Sequence, residues 1–286
     1  MTHPEYLTEK AIQDFIQLAL AEDIGEGDHS TLATVPSNKI SKAKLVIKAN
    51  GIMAGIELAE KIFLKVDPTL QLKFFKKDGD EIKTGEIAFE VEGKSRSILS
   101  AERLVLNCMQ RMSGIATYTY RLCKIIEGTS TKLLDTRKTT PNFRLMEKWA
   151  VVIGGGKNHR FALYDMIMLK DNHIDVAGGI TAAVKNAVLY LKAVKKDLKI
   201  EVETRNLNEV KEALATNSVD VIMLDNMKAD EMKEAVKLIN KKCKTEASGG
   251  ITESNLLSVA KCGVDYISVG ALTHSVKSLD LSLKIF

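Results

Sequence analysis

Apolar residues recur at helical spacing near the start of the chain. Ile12, Phe15, Ile16, Ala19 and Leu20 share one face over residues 8–22, and Thr8 stands where a helix cap is expected. The polar EDIGEGDHST (22–31) then reads as a loop. From about residue 40 the period shortens. KAKLVIKA, LQLKFF and EIAFEVEG read as strands, with a helix near 57–65 between the first two and turn chemistry in KKDGDEIKTGE (76–86). A long helical pattern runs from Ala101 to about Ile126. Beyond residue 130 short apolar strands alternate with helices. The strands fall at 131–136, 166–172, 199–204, 219–226, 244–250 and 265–270, and the helices at 143–152, 180–195, 207–216, 229–242 and 252–261. Runs such as VIML are apolar on both faces, as parallel strands covered by helices require. The expected fold is therefore α/β. A small N-terminal α+β domain (about 1–112) precedes an incomplete parallel α/β barrel (about 113–275), because six alternations fall short of the eight of a closed barrel.

Composition narrows the function class. Across 286 residues, 41 Lys and Arg against 37 Asp and Glu leave a formal net charge of +4. That surplus is too small and too evenly spread to mark a nucleic-acid binder. The four cysteines show no CxxC pair, which argues against zinc and disulfide frameworks and for a reducing, cytoplasmic setting. The first residues lack the pattern of a signal peptide, and no apolar run reaches membrane-spanning length, so no membrane partner is expected.

The polar residues gather at the carboxyl ends of the later strands, the face that carries active sites in parallel barrels. Asp135, Thr136, Arg137 and Lys138 follow the first strand, and Lys170 ends the second. Glu201 and Glu203 lie in the third, Asp225 and Asn226 end the fourth, Ser248, Gly249 and Gly250 the fifth, and Gly270 the sixth. Arg137, Lys138, His159, Arg160 and Lys170 together imply a highly anionic ligand, since these groups would otherwise repel one another. Glu203 and Asp225 offer hard oxygen ligands suited to Mg²⁺ beside a phosphate. The glycines at 249, 250 and 270 let backbone N–H groups approach a phosphate, and His274 lies just beyond them. A phosphorylated sugar, a divalent metal and a second anionic substrate satisfy this set. GGG at 154–156 is not a dinucleotide loop and reads as a flexible turn.

The segment LDTRKTTPNFRLMEKWAVVIGGGKNHRFALYDMIMLKDNHI (134–174) resembles the signature of the quinolinate phosphoribosyltransferases. The resemblance extends through EDIGEGD, SAERLVLNCMQRMSGIAT, IEVET, IMLDN, EASGGI and ISVGALTHS, nearly the whole chain. It implies a type II phosphoribosyltransferase-like fold whose C-terminal tail, about 276–286, packs back on the N-terminal domain. It also implies a homodimer with active sites shared between subunits, and quinolinate and phosphoribosyl pyrophosphate as substrates. Thr136, Arg137, Lys138, His159, Arg160 and Lys170 would then hold quinolinate, with Arg103 donated across the dimer. Lys138, Lys170, Glu203 and Asp225 would act in catalysis, Glu203 and Asp225 around Mg²⁺. Ser248, Gly249, Gly250, Gly270 and His274 would bind phosphate. One departure is PNFR (141–144), where PGLR is usual in the family. Rival readings are a transferase for a pyridine monocarboxylate and a non-catalytic carrier module. KKDGDEIKTGEIAFEVEG looks like a lipoyl-type hairpin but has no lysine framed by methionines.

Overall fold

The Thr8 hydroxyl accepts the Ala11 N–H at 3.1 Å and caps α1 (Glu9–Ile24), which buries Ile12 and Ile16. The segment after it is not all loop. Asp28 accepts the Thr31 N–H at 3.0 Å, and also its hydroxyl, at the head of α2 (His29–Thr34). A six-residue helix is too short to display a hydrophobic period, and only the cap betrays it. Then come β1 (Ile40–Ile47), β2 (Gly51–Ile52), α3 (Ile56–Val66), β3 (Gln71–Phe74), β4 (Glu81–Ile82), β5 (Ile87–Lys94) and α4 (Ser95–Ile125). The later half holds β6 (Lys132–Leu134), α5 (Arg144–Ile153), β7 (Ile167–Leu169), α6 (Asp171–Ala177), α7 (Ile180–Val194), β8 (Ile200–Thr204), α8 (Leu207–Ala215) and β9 (Val221–Asp225). It closes with α9 (Ala229–Ile239), β10 (Lys244–Ser248), α10 (Glu253–Ala260), β11 (Tyr266–Ser268), α11 (Ala271–His274) and β12 (Leu281–Ile285).

This computed structural model describes residues 3–286. Its contacts divide the chain into two units. The first holds residues up to 120, 138–155 and 271–286, and the second holds 121–137 and 156–270. The helix α4 is continuous through residue 112, so no break falls there.

The first unit is built on a four-stranded antiparallel sheet, ordered β12-β1-β5-β3, and a small β2-β4 pair. Ala43 of β1 pairs with Ile285, so the C-terminal strand is an edge of this sheet. Its core centres on Phe89, packed edge-on against Phe63 (5.8 Å) and Phe74 (5.9 Å). Gly154 and Gly155 form the turn that closes α5, and it is closely packed: a Cβ on Gly154 would collide with the Ala116 carbonyl and Thr119. Asn142, at the departure in PNFR, takes φ +61°, a conformation open to glycine and tolerated by asparagine.

The second unit is a six-stranded parallel sheet ordered β6-β11-β10-β9-β8-β7. Leu, Ile, Val and Met dominate β7 and β9, as strands covered on both faces require, whereas β8 (IEVET) and β10 (KTEAS) carry buried carboxyl groups. It stays open, as β6 and β7 are its edges, and Lys157 forms a parallel bridge to Leu134 of β6. The second strand stops at Leu169, and α6 begins where sequence suggested more strand. The cause is local: His173 Nδ1 accepts the Lys170 N–H at 3.1 Å and turns the chain into a helix.

Candidate active site

Register decides which strand residues face the interior together. Glu203 of β8 and Glu246 of β10 both lie level with Met223 of β9, and Asp225 lies level with Ser248. Side chains two apart on a strand share a face. Glu201 and Glu246 are fully buried and meet at His159, while Glu203, Asp225 and Ser248 are less buried towards the strand ends. Lys170, just past β7, reaches Glu203 Oε2 at 3.4 Å. Burial raises the Glu203 carboxyl above the usual range; Lys170 opposes this and Asp225 adds to it. Glu203 and Asp225 therefore repel one another beside an open strand end. That donor pair fits a hard divalent cation, which would relieve the repulsion.

The cations sit close by in the same unit. Burial, and then the Arg137 guanidinium beside it, lower Arg160. Arg160 is steadied by an Nη1 donation to the Met166 carbonyl at 3.2 Å. The loop after it is tied by Asp165, which accepts from Phe161 N (2.6 Å) and Ala162 N (2.8 Å). Two neighbouring guanidiniums cost energy unless an anion lies between them. On the far side, Gly249 and Gly250 take φ +85° and +60° and lead into α10. Asn255 Nδ2 donates to the Gly250 carbonyl at 2.9 Å and holds this turn. Gly270 follows β11 in the last strand-end turn.

His159 has a setting the sequence did not reveal. Its Nε2 lies 2.9 Å from Glu201 Oε2 and 3.4 Å from Glu246 Oε2, both fully buried. Its Nδ1 accepts the Arg160 N–H at 2.6 Å, and its own N–H donates to Asp135 Oδ1 at 2.9 Å. Asp135, also fully buried, accepts from Asn158 Nδ2 at 2.5 Å. Burial opposes charge on the ring, but the hydrogen bonds and charges of Glu201 and Glu246 outweigh it and push His159 up to about 10. Burial, then the Glu246 carboxylate, push Glu201 up to about 7 against the pull of His159. The cluster therefore holds an extra proton. The Arg160 N–H on Nδ1 leaves Nε2 as the nitrogen that faces the carboxyl groups.

The second unit thus gathers Thr136, Arg137, His159, Arg160, Lys170, Glu203, Asp225, Ser248, Gly249, Gly250 and Gly270. Arg103, Lys138 and His274 belong to the first unit. Arg103 is exposed on α4. Lys138 is exposed, and its carbonyl accepts the Thr273 hydroxyl at 2.8 Å. His274 is exposed and pairs its Nδ1 with Ser275 Oγ at 2.5 Å. Asp135, Glu201, Glu246 and Asn226 were given no role from sequence. The E-x-E of IEVET was the available signal, because it puts Glu201 on the same face as Glu203.

Guanidiniums, ammonium, carboxylates and glycine turns at the carboxyl ends of a parallel sheet define a transferase-type site for a phosphorylated, multiply anionic ligand. Comparison with known proteins gives the family. Residues 28–113 match the family model for the quinolinate phosphoribosyl transferase N-terminal domain, and 115–284 match the one for its C-terminal domain. The chain belongs to the quinolinate phosphoribosyltransferase family. It is 49% identical to the chloroplastic nicotinate-nucleotide pyrophosphorylase [carboxylating] of Oryza sativa subsp. japonica, over 99% of this chain and 79% of that one. It is 45% identical to a probable nicotinate-nucleotide pyrophosphorylase [carboxylating] of Bacillus subtilis, over 92% and 90%. The crystal structure of NadC from Streptococcus pyogenes matches with a TM-score of 0.93 at 39% identity, over 100% and 99%.

Proposed function

We propose that the chain transfers the phosphoribosyl group of phosphoribosyl pyrophosphate to the ring nitrogen of quinolinate, with loss of pyrophosphate and CO₂. The product is nicotinate mononucleotide, a precursor of NAD. The protein is a pentosyltransferase of the carboxylating nicotinate-nucleotide pyrophosphorylase type. The observation that carries the dicarboxylate reading is the pair Arg137 and Arg160, close enough for one to lower the other. Each guanidinium can grip a carboxylate with two parallel hydrogen bonds, which a monocarboxylate would leave half used.

The chain's own residues then act as follows. Arg137 and Arg160, with Thr136, hold the two carboxylates and aim the ring nitrogen at the anomeric carbon. Glycines 249, 250 and 270, with Ser248, leave backbone and hydroxyl donors facing the phosphate. Lys170 stabilises charge on the leaving oxygen as the bond from the anomeric carbon to pyrophosphate breaks. Glu203 and Asp225 would hold Mg²⁺, which when bound neutralises pyrophosphate charge. Attack by the ring nitrogen makes the pyridine cationic. The bond from C2 to its carboxylate then breaks, the electron pair passes into the cationic ring, CO₂ departs and C2 takes a proton. No protein nucleophile is needed.

Exposed Arg103 fits donation to a neighbouring copy, so the assembly we infer is a homodimer with shared sites. The four free cysteines accord with a reducing setting, and we place the enzyme in the cytoplasm. The test is an assay of pyrophosphate and CO₂ release. Quinolinate should yield both; turnover of nicotinate with no turnover of quinolinate would select the monocarboxylate reading.

A further inference from the structure

Both ring nitrogens of His159 face groups of the protein. The side chain is only 6% exposed, Nε2 faces the two carboxyl groups, and Nδ1 is capped by the next residue's N–H. A histidine so placed has no nitrogen left to offer a substrate carboxylate. What it does instead follows from its neighbours. The N–H it accepts is that of Arg160, and its own N–H is fixed by buried Asp135. The main chain entering Arg160 is thereby held on consecutive residues, and the guanidinium end is held separately by the Met166 carbonyl. The ring itself is anchored from below by Glu201 on β8 and Glu246 on β10, two strands apart in the sheet.

We propose that Glu201 and Glu246 are positioning residues for quinolinate capture. They clamp Nε2 of His159 so that its Nδ1 fixes the backbone of Arg160, and with it the guanidinium that grips a substrate carboxylate. His159 is then a strut between the two buried carboxyl groups and Arg160. This assignment rests on reading the strand-end site as the quinolinate site. Two buried carboxyl groups in a sheet interior are costly, and they persist because each has the same ring to hold. A shift of about 1 Å in a gripping group is enough to cost on the order of 100-fold in rate, so a distant carboxyl can govern capture.

The same three side chains place ligand atoms within 4.8 Å of one another, as a metal site would. Nδ1 already accepts the Arg160 N–H, and Nε2 lies in ion-pair contact with both carboxyl groups, so the three side chains hold one another without an ion.

The experiment uses the full-length enzyme and four variants: Glu201→Ala, Glu246→Ala, Glu201→Gln and His159→Gln. KM for quinolinate should rise about tenfold or more in both alanine variants, with KM for phosphoribosyl pyrophosphate within about twofold of wild type. Glu201→Gln keeps an oxygen that accepts Nε2–H and should recover most of the quinolinate affinity. Where an alanine variant does not fold, the wild-type ring decides. With five histidines in the chain, ¹⁵N-histidine spectra are simple, and His159→Gln identifies the resonance. Its two ring-nitrogen shifts should stay unchanged as quinolinate is added. Unchanged quinolinate KM, equal losses for both substrates, a ring that changes protonation on binding quinolinate, or a stoichiometric metal released by Glu201→Ala would each overturn the assignment. Wild-type protein that takes no quinolinate would overturn the reading beneath it; normal wild-type capture with unaltered variants would overturn the assignment alone.

Discussion

The side-chain amide of Asn226 occupies the space where a Cβ on Gly249 would stand, and the same amide donates to Asp225 Oδ2 at 2.8 Å. The Asn226 N–H also donates to the Ser248 carbonyl at 2.8 Å, and both Asn226 (φ +53°) and Gly249 (φ +85°) take left-handed backbone. The ends of β9 and β10 are thus interlocked, and the aspartate is aimed by a residue that requires glycine opposite. Gly249→Ala should evict the amide and strain the turn, costing about 1–2 kcal/mol for the left-handed alanine alone. The readout is KM for phosphoribosyl pyrophosphate, expected to rise about tenfold or more, with KM for quinolinate less affected. Equal change in both constants would count against a phosphate-side role for this turn.

Arg137 and Arg160 lie beside one another, and burial together with the Arg137 charge lowers Arg160 against the pull of Glu201 and Asp165. Removing one partner of a desolvated charge pair with the ligand costs about 2–5 kcal/mol. Arg137→Ala and Arg160→Ala should each abolish measurable quinolinate binding by calorimetry. Both variants should remain folded. Near-normal quinolinate affinity in either variant would rule out this pocket.

Arg103 and Lys138 offer a test of the shared site. Homodimers of Arg103→Ala and of Lys138→Ala should both be nearly inactive. Mixed and reassorted, they should regain part of the activity, since one site of each heterodimer then has both residues. Heterodimers demonstrated by mass but without recovered turnover would contradict a site built from two subunits.

At the opposite end of the sheet, Asp265 ties β10 to β11. It accepts from Lys244 Nζ at 2.7 Å, Thr245 N at 3.0 Å and Thr245 Oγ1 at 2.9 Å. Burial raises its carboxyl, but these bonds outweigh burial and hold it below the usual value. A depressed carboxyl contributes stability above its unfolded pKa, about 3.9, and loses it as pH falls through the lower folded value. Asp265→Asn should therefore cost about 1 kcal/mol near neutrality, reduced by partial exposure, and progressively less below about pH 4. Urea midpoints at pH 7 and pH 3 measure the difference; a cost that grows on acidification would refute the linkage.

The six strand–helix alternations were legible because parallel strands covered on both faces read as unbroken apolar runs. Cations and carboxylates at the ends of those runs were legible for the same reason. Short elements were not. α2 and α6 depend on single caps at Asp28 and His173, and six or seven residues leave no period to read. Glu246 and Glu201 could not be joined to His159 from sequence. Their meeting depends on the register of β8, β9 and β10, and that is fixed by contacts among residues tens of positions apart. The use of Asn226 was hidden in the same way, since a positive φ at a non-glycine residue is set by tertiary packing. Arg103 carried no sign of its role along its own helix and drew its assignment from the family resemblance.

The central claim is that ring-nitrogen attack comes first and creates the electron sink for decarboxylation. The direct measurement is ¹⁴CO₂ release from quinolinate labelled in its 2-carboxylate. The account predicts none when phosphoribosyl pyrophosphate or Mg²⁺ is withheld, and one CO₂ per pyrophosphate when both are supplied. Release of ¹⁴CO₂ from quinolinate and enzyme alone would show that the protein drives decarboxylation without the ring cation, and would contradict the mechanism.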